Sequence, residues 1–363
     1  MKLKSGRIKM ITTVIISVLI ILVVGVGMVI WLHPAFGRSP RGDRLERISA
    51  SPNFRNGQFF NLEETPEVTS DKGLLRALWD AAFVRPADMT PSAPLKTIKS
   101  DLKVLPLNDN RLIWLGHSSY FMTLAGKRIL VDPVLTSKFP VSLMMKPFPG
   151  SDIYTPSDIP ETDILIITHD HYDHLDYATI REIKDRIKLV ICPLGVGEHL
   201  EYWGINKDKI RELDWYQITS DTPLKIECLP ARHFSGRLFK RRNTLWASFM
   251  ISLPDGTTVY IGGDSGYGEH YKEIARRYPI VNYAILENGQ YNEDWRYIHT
   301  LPSQQDSVIR DLGAQNVVSV HNSKYALARH PWHEPIDKIR ETAAADTAFH
   351  LVDLIIGEST ELK

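Results

Sequence analysis

The stretch Thr168-His169-Asp170-His171-Tyr172-Asp173-His174-Leu175-Asp176 limits what this chain can be more than any other. It sets three imidazoles and the Asp173 carboxylate within six positions. Before it runs Asp163-Ile164-Leu165-Ile166-Ile167, short, β-branched and apolar. Such a run reads as a strand buried on both faces, as in parallel sheets. After it, Tyr177, Ile180, Ile183 and Ile187 recur at helical steps, which predicts a helix. The histidines then sit between a strand and a helix, at the sheet edge where α/β proteins bind ligands. A solvated polar loop would not need this spacing. Imidazole and carboxylate together suit zinc and other first-row divalent ions. The loop can turn His169 and His171 toward one ion and Asp173 and His174 toward a second.

The 363 residues allow one large domain or two ordinary ones. Lys+Arg 43 against Asp+Glu 43 leaves no net charge, so nothing favours a nucleic-acid partner. Met10 to Leu32 is an uncharged apolar run, longer than the h-region of a secretory signal and long enough to span a bilayer. Lys2, Lys4, Arg7 and Lys9 precede it and Trp31 stands at its far end, where an interface anchor belongs. Residues 1–36 are therefore expected to be an uncleaved transmembrane helix, with the short basic end inside and the body outside the cytoplasm. Residues 37–100 read as an arm that packs on the domain through Phe54, Phe59, Phe60 and Leu62, with a short helix near 74–83. Cys192 and Cys228 lie in strand-like runs without C-x-x-C spacing and read as buried thiols; a disulfide between them does not follow from the sequence.

From about Asp101 onward, residues 101–363 show mixed α/β patterning. Strands are expected at Leu102–Val104, Arg111–Leu115, Ser119–Leu124, Arg128–Val131, Thr222–Leu229, Leu245–Leu253, Thr257–Ile261, Tyr283–Leu286 and Asn316–Val320. Helices are expected at Gly268–Tyr278 and Pro302–Leu312. His233, Asp264 and His321 each follow one of these apolar runs, as Asp132 follows Ile129-Leu130-Val131. The repetition is what a metal site assembled at strand ends predicts.

The sequence His169-x-His171-x-Asp173-His174 resembles the metal signature of the metallo-β-lactamase superfamily. Trp114-Leu115-Gly116-His117-Ser118-Ser119, Val131-Asp132-Pro133, Glu212-Leu213-Asp214-Trp215, Ala231–Arg237 and Thr244–Phe249 resemble its N-acyl-phosphatidylethanolamine phospholipase D branch. The plainer parts are shared with ascorbate-lactonase-like proteins. The resemblance covers roughly Gly37 to Glu334. It implies a four-layer αβ/βα sandwich and two divalent ions, most simply Zn²⁺. His169, His171 and His233 would hold one ion, Asp173, His174 and His321 the other, and Asp264 would bridge them. Asp132 would orient a ligand from behind. His117 would do the same or lie at the edge of the core. His299 would face the site and contact phosphate, or simply neighbour a helix cap. Arg232 and Arg237 could assist the developing charge. The chain departs from the branch at His321-Asn322-Ser323-Lys324-Tyr325 and at Glu287–Asn292, which includes Tyr291. Both segments border the substrate pocket in that family.

The expected activity is hydrolysis by a metal-activated hydroxide, with Asp173 orienting the nucleophile, on phospholipid or another phosphodiester at a membrane. A lactonase, a soluble-phosphodiester hydrolase and a diiron redox or sensor protein are the alternatives. An oligomer is compatible with the sequence. The loop between Pro133 and Pro160, with Phe139, Val141, Leu143, Met144, Met145 and Phe148, is unusually apolar and is expected either to pack into the core or to let some of these residues line an acyl groove leading to the ions.

Overall fold

A computed structural model describes all residues except 1, 71, 72, 74, 75, 77, 78, 80–83, 85, 137, 220 and 363. Two seven-stranded mixed sheets form its centre. In the first, the strands run in the order Ser359–Glu361, Arg111–Gly116, Ser119–Leu124, Lys127–Val131, Thr162–Ile166, Ile187–Pro193 and Ile210–Leu213. The last four are parallel to one another. In the second the order is His350–Leu351, Ala314–Val320, Val281–Glu287, Thr258–Ile261, Ser248–Ser252, Lys225–Leu229 and Ile218–Thr219, and the first four are parallel.

Alternation along the strands decides the layers, because successive side chains point to opposite faces. Leu112, Trp114, Tyr120 and Met122 of the first sheet meet Ile226, Phe249, Ile251 and Val259 of the second in a central core. The other face of the first sheet, with Ile113, Leu115 and Phe121, packs on helices that carry Ile180, Ile183 and Leu200. The other face of the second packs Met250 and Tyr260 on Tyr271, Ile274, Val308 and Ile339. This is the αβ/βα sandwich that the sequence resemblance implied.

The helix after the histidine loop starts where expected. Asp176 caps it by accepting from Ala178 N at 3.2 Å and Thr179 N at 3.1 Å. The helix is shorter than its apolar period suggested. It covers Tyr177–Ile183, then a 3₁₀ turn, and Ile187 already begins a strand. Residues 102–104 form a turn instead of a strand, although Leu102 is buried. The helix Glu334–Ala345 has no counterpart in the sequence expectations. Cys192 and Cys228 are buried free thiols.

The N-terminal helix is continuous from Lys2 to Leu32. Its Met10–Leu32 segment has mean hydropathy 3.0, is largely exposed, and is long and apolar enough to cross a membrane. The arm threads Ile48 and Phe59 into the central core. The helix expected near 74–83 falls largely outside the described residues. The expected acyl groove at the 133–160 loop does not form. Val141 and Met145 are buried with Phe36, Val134, Tyr172 and Tyr325, and Phe148 is buried as well. Burying them removes more apolar area from water than lining an open groove would. Leu143 alone among the described side chains of that set is strongly exposed, at 76%.

Candidate metal centre

The carboxyl ends of the parallel strands in both sheets converge on one spot. From the first sheet come Asp132, the 168–176 loop and His117; from the second come Asp264, Glu287 and His321. His233 arrives four residues after the strand Lys225–Leu229. Gly263 lets this happen: it sits at φ +61°, and a Cβ there would meet the Thr168 side chain at 3.0 Å.

Two groups of metal-ligating atoms result. In one, His169, His171, His233 and Asp264 offer atoms all within 4.8 Å of one another; in the other, His117, Asp173, His174 and His321 do the same. Asp264 Oδ2 lies 3.8 Å from His169 Nε2 and 3.7 Å from His233 Nε2, while its Oδ1 lies 3.1 Å from both His174 Nε2 and His321 Nδ1. One carboxylate therefore faces both groups.

The donors suit cations. His174 Nε2 and Asp264 Oδ1 are buried and face each other without hydrogen-bond geometry, and His117 Nδ1 is also unpartnered. Orphaned buried polar atoms are costly, and cations between them would satisfy them. Burial, then neighbouring imidazoles, holds His169, His233 and His321 well below the usual histidine range, in the neutral form that binds metal. Burial likewise lowers His117 and His171. Burial opposes charge on Asp264, but the neighbouring His174 charge outweighs it and keeps the carboxyl well below its ordinary value. Burial would also lower His174, yet Asp264 and Asp173 raise it far above the histidine norm.

Behind the ligands, Asp132 accepts from Thr168 N at 2.8 Å and Thr168 Oγ1 at 2.6 Å, and lies 2.8 Å from His174 Nδ1. It turns Nε2 of His174 toward the centre. His233 Nδ1 meets Ile298 O at 2.8 Å, and Ser118 Oγ meets His321 Nδ1 at 2.8 Å. His117 Nε2 meets Asp173 Oδ2 at 2.9 Å, so His117 stands where it can orient that carboxylate or join the second group of donors.

His299 faces the centre from the rim. Its Nδ1 lies 2.7 Å from Glu287 Oε2, and Thr300 N donates to Glu287 Oε1 at 2.6 Å. Burial pushes the Glu287 carboxyl up to about 7, and burial of His299 is outweighed by Glu287, which lifts the imidazole to about 9. Glu287 was not singled out from sequence, although it ends an apolar strand just as Asp264 follows one. Its oxygens also fall within a third group with Asp264, His299 and His321.

Three expected substrate residues lie elsewhere. Arg232 donates to Thr65 Oγ1, Tyr267 O and Glu64 O, pinning the arm. Arg237 is 1% exposed and bonds backbone carbonyls behind the histidine loop. Tyr291 stacks on His330 and donates to Glu334 at 2.7 Å, so Gln290, not Tyr291, reaches the pocket. In each case backbone acceptors or a carboxylate nearby satisfied the polar group first. The pocket over the centre holds about 320 Å³; its walls include Phe234, Ile298, Trp295 and Leu327, with Arg241 at the rim.

A family model for the beta-lactamase superfamily domain matches residues 127–322, and the chain belongs to that superfamily. An uncharacterized protein of Mycobacterium tuberculosis is 34% identical over 301 residues, covering 81% of this chain and 80% of the relative. The N-acyl-phosphatidylethanolamine-hydrolyzing phospholipase D 1 of Caenorhabditis elegans is 28% identical over 266 residues, covering 66% of this chain and 73% of the relative. Among solved structures, the metallo hydrolase Igni18 of Ignicoccus hospitalis shares the fold at TM-score 0.52 and 20% identity, over 70% of this chain and 99% of that one. The protein is a metal-dependent hydrolase of the metallo-β-lactamase superfamily.

Proposed function

We propose that the chain is a membrane-anchored dinuclear hydrolase, a phosphodiesterase for phospholipids of the N-acyl-phosphatidylethanolamine kind. Residues 1–36 are its anchor, 37–100 an arm on the domain, and 101–363 the hydrolase domain, held outside the cytoplasm. The dinuclear reading is carried by Asp264, whose two oxygens face two separate ligand groups. His169, His171 and His233 hold one ion and Asp173, His174 and His321 the other, with His117 beside the second. An all-nitrogen-and-oxygen set of this kind suits zinc. Support for a lipid substrate comes from the C. elegans relative, the exposed apolar helix and the apolar pocket walls.

Divalent ions bound there supply Lewis-acid activation of the attacking water and of the phosphoryl group. The chain's own residues do the rest. Asp173, with His117 at 2.9 Å, accepts a hydrogen bond from the water and aims it. Water oxygen bonds to phosphorus and releases one proton to solvent, and the bond from phosphorus to the N-acylethanolamine oxygen breaks. His299, kept protonated by Glu287, donates its proton to that leaving oxygen, and a solvent proton afterwards restores His299. Phosphatidic acid and an N-acylethanolamine result.

The test is to assay purified full-length protein on N-acyl-phosphatidylethanolamine, bis-p-nitrophenyl phosphate and a lactone panel, with metal counted in the same preparation. Two zinc ions per chain and turnover of the phospholipid that chelator abolishes are expected. Turnover of lactones alone, or an iron pair with a visible absorption band, would defeat the reading.

A further inference from the structure

The end of the N-terminal helix is not a loose tether. Ile30 packs on the cluster of Phe36, Val141 and Met145, and the His33 ring meets Phe139 at 4.9 Å. Trp203 Nε1 donates to Pro34 O at 2.8 Å. Gly37 turns at φ +69° so close to His199 that a Cβ would meet its Nδ1 at 2.3 Å. Arg237 donates to Ala35 O from Nε and Nη2, and from Nη1 to Asp170 O and Leu175 O. One buried guanidinium thus ties the helix exit to both shoulders of the histidine loop.

Arg237 stands in a hairpin, Gly236–Arg237 paired with Lys240–Arg241, whose tip is Leu238 and Phe239. Phe239 is 84% exposed, and the tip shares a crevice with Gly27, Ile30 and Trp31 of the helix. At about 1.5 Å per residue, Gly27 lies roughly 7 Å back from the end of the apolar run. That is the depth, about 5–10 Å, at which interfacial apolar side chains settle. Leu143, also exposed, projects from the short helix whose Val141 packs on the same junction.

We propose that the domain is seated on the bilayer, with Leu238, Phe239 and Leu143 inserted into the leaflet where the N-terminal helix ends. The base of the same hairpin, Arg241, lines the metal pocket, so the seat holds the pocket rim near the lipid headgroups. The occupant is the bilayer itself, because the tip lies beside Gly27 and Trp31 of an apolar helix whose Met28, Val29 and Trp31 side chains remain exposed. The inference rests on the membrane-anchor reading above.

Spin labels test it on the full chain in vesicles of phosphatidylcholine and phosphatidylglycerol. Phe239→Cys and Leu143→Cys carry the label in turn, with Leu19→Cys inside the span and Ile280→Cys at the amino end of the Val281–Glu287 strand as references; Cys192 and Cys228 are buried and stay unlabelled. Labels at Phe239 and Leu143 are expected to collide with oxygen several-fold more, relative to a water-soluble nickel chelate, than the label at Ile280. A water-exposed Phe239 label beside a lipid-exposed Leu19 label would overturn the seat and leave the anchor standing. A water-exposed Leu19 label would remove the anchor and the seat together. A Phe239 label shielded from both reagents would assign the tip to a protein contact and overturn the seat.

Discussion

Arg237→Met removes the junction's central donor while keeping apolar volume. Three buried carbonyls, at Ala35, Asp170 and Leu175, lose their guanidinium partner. Each orphaned buried acceptor costs on the order of 1 kcal/mol or more, so the gross loss is about 3 kcal/mol. Releasing a buried cation from its desolvation works in the opposite direction, as does the apolar packing of methionine. The stacking of the guanidinium over Tyr172 at 4.1 Å is lost as well. A net destabilisation of about 2–3 kcal/mol remains, a large part of the ~5–15 kcal/mol that domains of this kind possess. Because two of the carbonyls flank His171–His174, metal affinity should fall about tenfold with it. Denaturant unfolding in detergent and chelator competition measure the two effects. Arg237→Lys should not rescue, since a single ammonium cannot reach carbonyls of three segments at once. Unfolding within about 1 kcal/mol of the wild type, or full rescue by lysine, would refute the clamp.

Asp132→Asn should leave the fold intact and weaken metal binding about 10–100-fold, because His174 loses the carboxylate that fixes its ring; chelator titration checks this. Glu287→Gln should lower turnover about 10–100-fold with metal content unchanged, since His299 loses the charge that keeps it protonated; lost metal would instead make Glu287 a ligand. His270 is pushed down to about 3 by burial and then by the Arg232 charge, so the unfolded chain takes up a proton between about 6.5 and 3 that the folded chain refuses. Its stabilising share is full above pH 6.5 and is lost as pH falls toward 3, by up to about 1.4 kcal/mol per unit. His270→Asn should flatten that acid limb relative to wild type in pH-dependent unfolding, and parallel curves would place the proton elsewhere.

The strands and the candidate ligands at their ends were legible in the sequence because both rest on local rules, whereas the four-layer arrangement came from the family resemblance, since pattern alone gives only mixed α/β. A buried parallel strand has to be a short apolar run, and a ligand at its carboxyl end follows that run by one to four residues. Reading along the chain marked the histidine loop, and the resemblance in motif and order added His233, Asp264 and His321 to His169, His171, Asp173 and His174 as candidates. The long apolar helix at the start was equally plain, since its length and lack of charge are read directly from the sequence.

Partner choice among polar groups is not local, and there the sequence reading ran out. Arg232, Arg237 and Tyr291 looked free to meet substrate, but in three dimensions carbonyls of the arm, carbonyls behind the histidine loop and Glu334 reach them first. Glu287 looked like a departure from a motif until the fold set it 2.7 Å from His299. The apolar 133–160 loop could have lined a groove or filled a core, and only the position of Phe36 at the helix exit decided for the core. A buried donor takes whichever acceptor the packing brings within 3 Å, and packing depends on segments far apart in the chain.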